Sequence, residues 1–172
     1  FDANMTVSGE NVTVFDDEII TVTIAAEGNV TITFNGESTE VPIENGTATL
    51  NVGKLAAGDY TVSVTYDGDG VTYGPAFAEA TFEIIKADAE ITEDVVASVE
   101  NSTLTVTLPE NATGIVLAKV DGKGYYAEVE NGTAVIEIPE LAPGKYSVDI
   151  SYLGDDNYNN ASFTTELEVP AL

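Results

Sequence analysis

Two short acidic stretches are the first places where this sequence could do chemistry. Asp67-Gly68-Asp69-Gly70 and Gly154-Asp155-Asp156-Asn157 crowd carboxylate and amide oxygens between glycines. Calcium takes oxygen donors of this kind, and glycine lets a backbone curl around them. Asp67, Asp69, Asp155, Asp156 and Asn157 are therefore the candidate Ca²⁺ ligands, with Asp16-Asp17-Glu18 or Glu93-Asp94 as additional donors. Neither stretch matches an EF-hand loop, which closes on a distal bidentate glutamate. Aspartate, asparagine and glycine are also ordinary turn chemistry, so a calcium-stiffened loop and a plain turn both stand open.

Three further chemistries can be read from residue types. Asn-x-Ser/Thr sequons begin at Asn4, Asn11, Asn29, Asn45, Asn101, Asn111, Asn131 and Asn160, an excess for a chain of this composition. Sequons mark glycosylation acceptors on exposed loops of secreted chains, although turns rich in Asn followed by strands rich in Thr inflate the number. An intramolecular isopeptide bond needs a buried lysine beside an Asn or Asp, and Lys119 is the one lysine set within an alternating strand pattern. Exposed aromatic rings can stack on sugars: Tyr125-Tyr126 stands where the first half of the chain has Thr39-Glu40, and Tyr158 sits in a loop-like stretch. With no His, Cys, Arg or Trp, the chain lacks the commonest general base and the commonest nucleophile, and an enzyme is not expected.

The elements that must carry these residues are written twice. Glu44-Asn45-Gly46-Thr47-Ala48 returns as Glu130-Asn131-Gly132-Thr133-Ala134, Leu55-x-x-Gly58-x-Tyr60 as Leu141-x-x-Gly144-x-Tyr146, and Tyr66-x-Gly68-Asp69 as Tyr152-x-Gly154-Asp155. The common offset is 86 positions, so the 172 residues are a tandem of one domain, 1–86 and 87–172. Strict alternation in Ile20–Ile24, Val30–Phe34, Tyr60–Tyr66, Leu104–Leu108 and Tyr146–Tyr152 predicts half-buried antiparallel strands. Asn35-Gly36, Asn45-Gly46, Asp121-Gly122 and Asn131-Gly132 suit the positive φ of tight hairpins.

The pattern predicts an all-β protein of two tandem immunoglobulin-like β-sandwiches, about seven strands each. Tyr60 and Tyr146 are placed for a tyrosine corner, a hydroxyl bonded back to the backbone just upstream. Gly58 and Gly144 would shape the corner, with Leu55 and Leu141 beneath. Strand Ala80–Ile85 runs into the second copy through Lys86-Ala87-Asp88 with almost no linker, which favours a semi-rigid rod. Two such domains would add on the order of 80 Å in line. Pro42, Pro75 and Pro109 near strand ends guard the sheet edges.

These residues carry a resemblance. Asn-Gly-Thr-Ala, then Leu141-Ala142-Pro143-Gly144-Lys145-Tyr146, then Tyr152-Leu153-Gly154-Asp155-Asp156-Asn157-Tyr158 resembles the Ig-like repeats of adhesin-like surface proteins of methanogenic archaea, and similar repeats on bacterial surfaces. The first copy departs after Gly68-Asp69, where it reads Gly70-Val71-Thr72-Tyr73. The resemblance implies an extracellular array, cell-surface or cell-wall associated, with neighbouring repeats as its nearest partners and a surface glycan or protein as its target.

Charge agrees with such a setting. Five Lys against 30 Asp plus Glu give a net charge of −25, which repels nucleic acid and anionic headgroups and keeps exposed protein dispersed. No apolar run is long enough to span a membrane. The chain begins at Phe1 and its last residues, Ala171 and Leu172, read as the start of a further connection, so a fragment of something longer is expected. Three functional readings follow. They are a stalk that projects a binding module, a binder acting through Tyr125, Tyr126 and Tyr158, and a filament or surface-layer subunit.

Overall fold

The computed structural model describes residues 1–171; Leu172 and the connection expected to begin there lie outside them. The chain divides into two compact units, Phe1–Ile85 and Lys86–Leu172. The first holds β1 (Thr6–Gly9), β2 (Val12–Thr13), β3 (Asp17–Thr23), β4 (Asn29–Phe34), β5 (Glu37–Pro42), β6 (Thr47–Lys54), β7 (Gly58–Tyr66) and β8 (Ala76–Ile85). The second holds β9 (Thr92–Val96), β10 (Asn101–Thr107), β11 (Ile115–Val120), β12 (Lys123–Glu128), β13 (Thr133–Pro139), β14 (Gly144–Tyr152) and β15 (Ala161–Val169).

Each unit is an immunoglobulin-like β-sandwich. Unit 1 sets the sheet β1-β3-β6 against β2-β8-β7-β4-β5, and unit 2 sets β9-β10-β13 against β12-β11-β14-β15. Among the described residues, the strands pair antiparallel except β2 with β8, which run parallel through Val12↔Ile84 and Thr13↔Ile85. That exception gives unit 1 an eighth strand. The first strand of its sandwich breaks after Gly9 and crosses from one sheet to the other, where a side chain at Gly9 would collide with the Phe82 ring.

Alternation assigns the faces. Ile20 and Val22 of β3, Val30, Ile32 and Phe34 of β4, Val62, Val64 and Tyr66 of β7, and Phe82 and Ile84 of β8 are all buried in one cluster. In unit 2 the same role falls to Leu104, Val106, Val116, Ala118, Val120, Ile136, Val148, Ile150 and Leu167. Residues between them face water, as a period of two requires. Asn35, Asn45, Asp121 and Asn131 each sit at φ 51°, and the glycine after each is also positive. Both central residues of these turns are thus left-handed, the type I′ geometry that matches strand twist.

One buried position breaks the apolar rule in both units. Glu18 is 0% exposed and Ser102 is 1% exposed, and they occupy equivalent sites at the start of β3 and β10. Glu18 Oε1 accepts the Glu10 N–H at 2.9 Å, and Ser102 Oγ accepts the Ser98 N–H at 3.2 Å. Each ties the segment that leads into its strand. Glu18 also carries a liability, because its Oε2 is buried without a hydrogen-bond partner.

The corner between β6 and β7 is closed by Tyr60, whose hydroxyl donates to the Ala56 carbonyl at 2.7 Å. Tyr146 does the same to Ala142 at 2.6 Å. Tyr60 additionally stacks against Phe82, with ring centroids 5.6 Å apart. Substituting Tyr146→Phe keeps the ring and removes only the bond. Urea unfolding of unit 2 should register a loss of about 1 kcal/mol, as for one net hydrogen bond.

Candidate functional site

The loop joining β7 to β8, and its counterpart joining β14 to β15, gather the acidic residues singled out above. Each opens with the repeated Tyr-x-Gly-Asp. The tyrosine ends its strand buried and reaches the neighbouring loop: Tyr66 Oη donates to Glu27 O at 3.4 Å, and Tyr152 Oη to Thr113 O at 2.6 Å. The glycine turns the chain at φ 89° in Gly68 and 82° in Gly154. A Cβ at Gly154 would stand 2.9 Å from Tyr158 O and Asn160 N, so the close approach of the two sides of the loop requires glycine there.

The aspartate then closes the loop. Asp69 Oδ1 accepts three backbone N–H groups, from Val71, Thr72 and Tyr73, at 2.8–2.9 Å. Asp155 Oδ1 accepts those of Asn157 and Tyr158 at 2.8 and 2.7 Å. Its Oδ2 reaches across to the β10–β11 loop and accepts both the N–H and the hydroxyl of Thr113 at 2.9 Å. In unit 2 one carboxylate therefore ties together two loops at the same pole.

What the closed loop holds is the leading segment of its own unit. In unit 1 the Phe1 ammonium donates to Thr72 O at 2.7 Å and Gly74 N to Phe1 O at 3.3 Å. In unit 2 Ala87 N donates to Asn157 O and Asn159 N to Ala87 O, both at 2.9 Å. Asn159 Nδ2 adds bonds to Lys86 O at 3.2 Å and to Asp88 Oδ1 at 2.9 Å. The same two-bond clasp thus recurs in both copies, with side-chain reinforcement in the second.

The electrostatics follow from this geometry. The Asp69 carboxyl is held below its ordinary range by the N–H groups of Val71 and Tyr73, with Thr72 adding to them against a smaller desolvation. For Asp155, desolvation is the largest single influence and pushes upward. The N–H groups of Thr113, Tyr158 and Asn157 together outweigh it, and the net shift is downward. Burial, reinforced by the Asp155 charge, pushes the Tyr152 hydroxyl up to about 12.

Two of the candidate calcium ligands, Asp69 and Asp155, are engaged in hydrogen bonds within the protein. Asp69 Oδ1 and both Asp155 carboxylate oxygens already accept N–H or hydroxyl donors, which a cation at those atoms would have to displace. Among the described residues no three acidic side chains gather into a cation-holding group. The additional donors are also elsewhere. Glu18 is buried in the core, and Asp17 bonds Lys54 at 3.2 Å beside the β6–β7 corner, at the pole opposite these loops. Glu93 and Asp94 lie within β9.

The other candidates separate cleanly. All eight sequon asparagines are exposed: Asn4, Asn11, Asn29, Asn45, Asn101, Asn111, Asn131 and Asn160. Three have a bonded side chain, with Asn11 accepting Glu83 N, Asn29 donating to Glu40 and Asn111 accepting the Tyr158 hydroxyl. Tyr158 corrects the expectation of an exposed ring, since it is only 7% exposed, folded inward by its bond to Asn111 at 2.6 Å. Lys119 lies on the exposed side of β11, not in the buried setting an isopeptide cross-link needs. Tyr125 is half-buried, whereas Tyr126 is 70% exposed. Thr113 and Asn159, which complete the clasp in unit 2, were not singled out by the sequence.

Comparison with known proteins adds little. No family model matches, and no curated protein matches. Among solved structures, a Ca²⁺-stabilized adhesin with which an Antarctic bacterium binds ice is 13% identical, with TM-score 0.41 over 99% of this chain and 49% of that one. The adhesin InvE of Yersinia pseudotuberculosis is 16% identical, with TM-score 0.42 over 98% and 58%. A β-glucuronidase of Parabacteroides merdae is 13% identical, with TM-score 0.39 over 95% and 24%. The chain spans between 24% and 58% of the length of these three structures, and likenesses this distant, to adhesins and an enzyme alike, carry no functional conclusion.

The depressed aspartates fix the sign of the acid response. Their stabilising effect is complete above the unfolded value of about 3.9 and is lost as pH falls through the lower folded value. Asp155→Asn should cost unit 2 about 1 kcal/mol at neutral pH, because an amide accepts fewer of the four bonds. Its unfolding midpoint should also decline less steeply than that of the unaltered chain as pH falls below about 4. A pH profile parallel to the parent would contradict the assignment.

Proposed function

We propose that this chain is a stretch of tandem Ig-like repeats in an extracellular, non-enzymatic surface protein, serving as a stalk segment of restricted flexibility. The observation that carries the reading is the repeated clasp. The last strand of unit 1 ends at Ile85, and Ala87 is already bonded into the β14–β15 loop of unit 2. One residue, Lys86, stands between them, and its carbonyl is itself bonded by Asn159. So short a joint favours a semi-rigid stalk over a flexible tether.

Two further properties support a place outside the cell. A net charge of −25 disperses neighbouring molecules in an exposed layer. The eight sequon asparagines are exposed, and outside Asn11, Asn29 and Asn111 their side chains are not among the bonded ones described above, so protein recovered from its source should carry glycan on a subset of them, detectable by mass spectrometry of tryptic peptides.

The stalk reading is tested by ¹⁵N relaxation of the intact chain. Order parameters at Lys86, Ala87 and Asp88 should match those of the strands, about 0.85, and both units should follow one diffusion tensor. Values below about 0.6 with independently tumbling units would overturn it. Antibodies raised against the chain should label intact, unpermeabilised cells of the source organism; labelling only after permeabilisation would remove the surface assignment.

A further inference from the structure

The exposed face of the β12-β11-β14-β15 sheet departs from its counterpart in unit 1 in a way that packing does not require. Cross-strand register sets two rows on this face. Tyr126, Leu117 and Ser151 form one, and Gly124, Lys119 and Asp149 the other. Unit 1 has the same grid as Glu40, Thr31 and Thr65 beside Ser38, Thr33 and Ser63. There the small polar side chains satisfy one another, with Thr33 Oγ1 and Ser38 Oγ at 2.9 Å and Asn29 donating to Glu40 at 3.1 Å. The outcome is an ordinary solvated sheet face.

In unit 2 five of those six positions change character together. Tyr126 stands 70% exposed and Leu117 39% exposed, side by side, where unit 1 has Glu40 and Thr31. Gly124 replaces a serine, and a Cβ there would meet nothing within 4 Å, so the space next to the tyrosine is open. Lys119 and Asp149, directly opposite each other, replace Thr33 and Ser63. Thr164 Oγ1 donates to Asp149 Oδ1 at 3.2 Å and orients that carboxylate. The six residues, with Ala118 and Tyr125, line an open, mainly apolar depression of about 350 Å³.

We propose that this depression is a carbohydrate-binding site for one ring of a neutral pyranose glycan. The chemistry fits on three counts. An exposed tyrosine beside a leucine offers a flat apolar platform to the axial C–H face of a sugar ring, while the rim of that ring carries hydroxyls. Lys119 donates, Asp149 accepts and Ser151 does both, which is the mixed set that ring hydroxyls need. A net charge of −25 repels uronic and sialic acids and leaves neutral sugars unopposed. A protein strand laid on the same face would find no backbone groups to pair with, since those of β11 and β14 are used within the sheet. The site goes beyond the stalk reading and does not depend on it.

The test is a ¹H–¹⁵N titration of the intact chain with cellotetraose, xylotetraose and tri-N-acetylchitotriose, each up to about 10 mM. At least one sugar should shift the amides of Leu117, Lys119, Gly124, Tyr126 and Asp149, with a dissociation constant on the order of 0.1–1 mM, as suits an open site. Tyr126→Glu, which installs the unit 1 residue, should weaken binding at least about tenfold, and Gly124→Leu should do so by filling the space. Tyr126→Phe should bind nearly as well, since the ring is kept. Phe77, 64% exposed on unit 1, is the internal control for unspecific aromatic contact. Shifts as large around Phe77 as around Tyr126 would overturn the proposal, as would no shift with any of the sugars. Concentration-dependent broadening at the same residues without sugar would overturn it too, by showing that a second copy of the chain covers the face.

Discussion

One aspartate per unit organises the pole at which the chain enters each sandwich. Asp69 and Asp155 accept backbone N–H groups within the loops they begin, and without those bonds each loop would leave several amides with nothing in the protein to receive them. The loop must hold its shape to present the carbonyls of Thr72 and Asn157 to Phe1 and Ala87. The neighbouring residues of the repeated motif exist to make that geometry reachable: the tyrosine pins the adjacent loop, and the glycine brings the two sides of the turn within contact distance. Tyr-x-Gly-Asp is thus a single device, and its three named residues have three distinct physical jobs.

The two copies solve the same problem with different reserves. In unit 1 the aspartate acts alone and only within its own loop. In unit 2 it also grips Thr113, Tyr158 is drawn into the core by Asn111, and Asn159 straps down Lys86 and Asp88. The additional bonds fall in the unit that receives a chain already committed to the strand before it. The same divergence marks the outer sheet face, where unit 1 keeps a self-satisfied polar grid and unit 2 exposes Tyr126 and Leu117. Duplication supplied two scaffolds, and the second carries the distinctive surface.

Most of the fold was legible before the structure, because a period of two in β-branched residues leaves few alternatives to half-buried strands. The type I′ turns at Asn35, Asn45, Asp121 and Asn131 were readable for a similar reason, since few residue pairs accept two positive φ angles in succession. The role of Asp69 and Asp155 was not, because an aspartate flanked by glycine looks the same whether its oxygens meet amides or a cation. Only the partners of the lone pairs decide, and those depend on how the loop closes. Tyr158 deceived for a related reason: it lies in a turn-rich stretch, yet its hydroxyl found Asn111, 47 residues away in sequence. Glu18 did leave a signal. It falls in phase with Ile20, Val22 and Ile24, so the alternation already turned it inward.

The central claim is that the aspartate-closed loop holds the leading segment of its unit. Native-state hydrogen exchange of the intact chain tests it most directly, comparing the unaltered protein with Asp155→Ala. The account predicts that the Ala87 and Asn159 amides exchange at least about tenfold faster in the variant, while amides in the centre of β10 and β14 change by no more than the global loss of stability. Unchanged protection at Ala87 and Asn159 would show that the segment is held by something else, and would contradict the account.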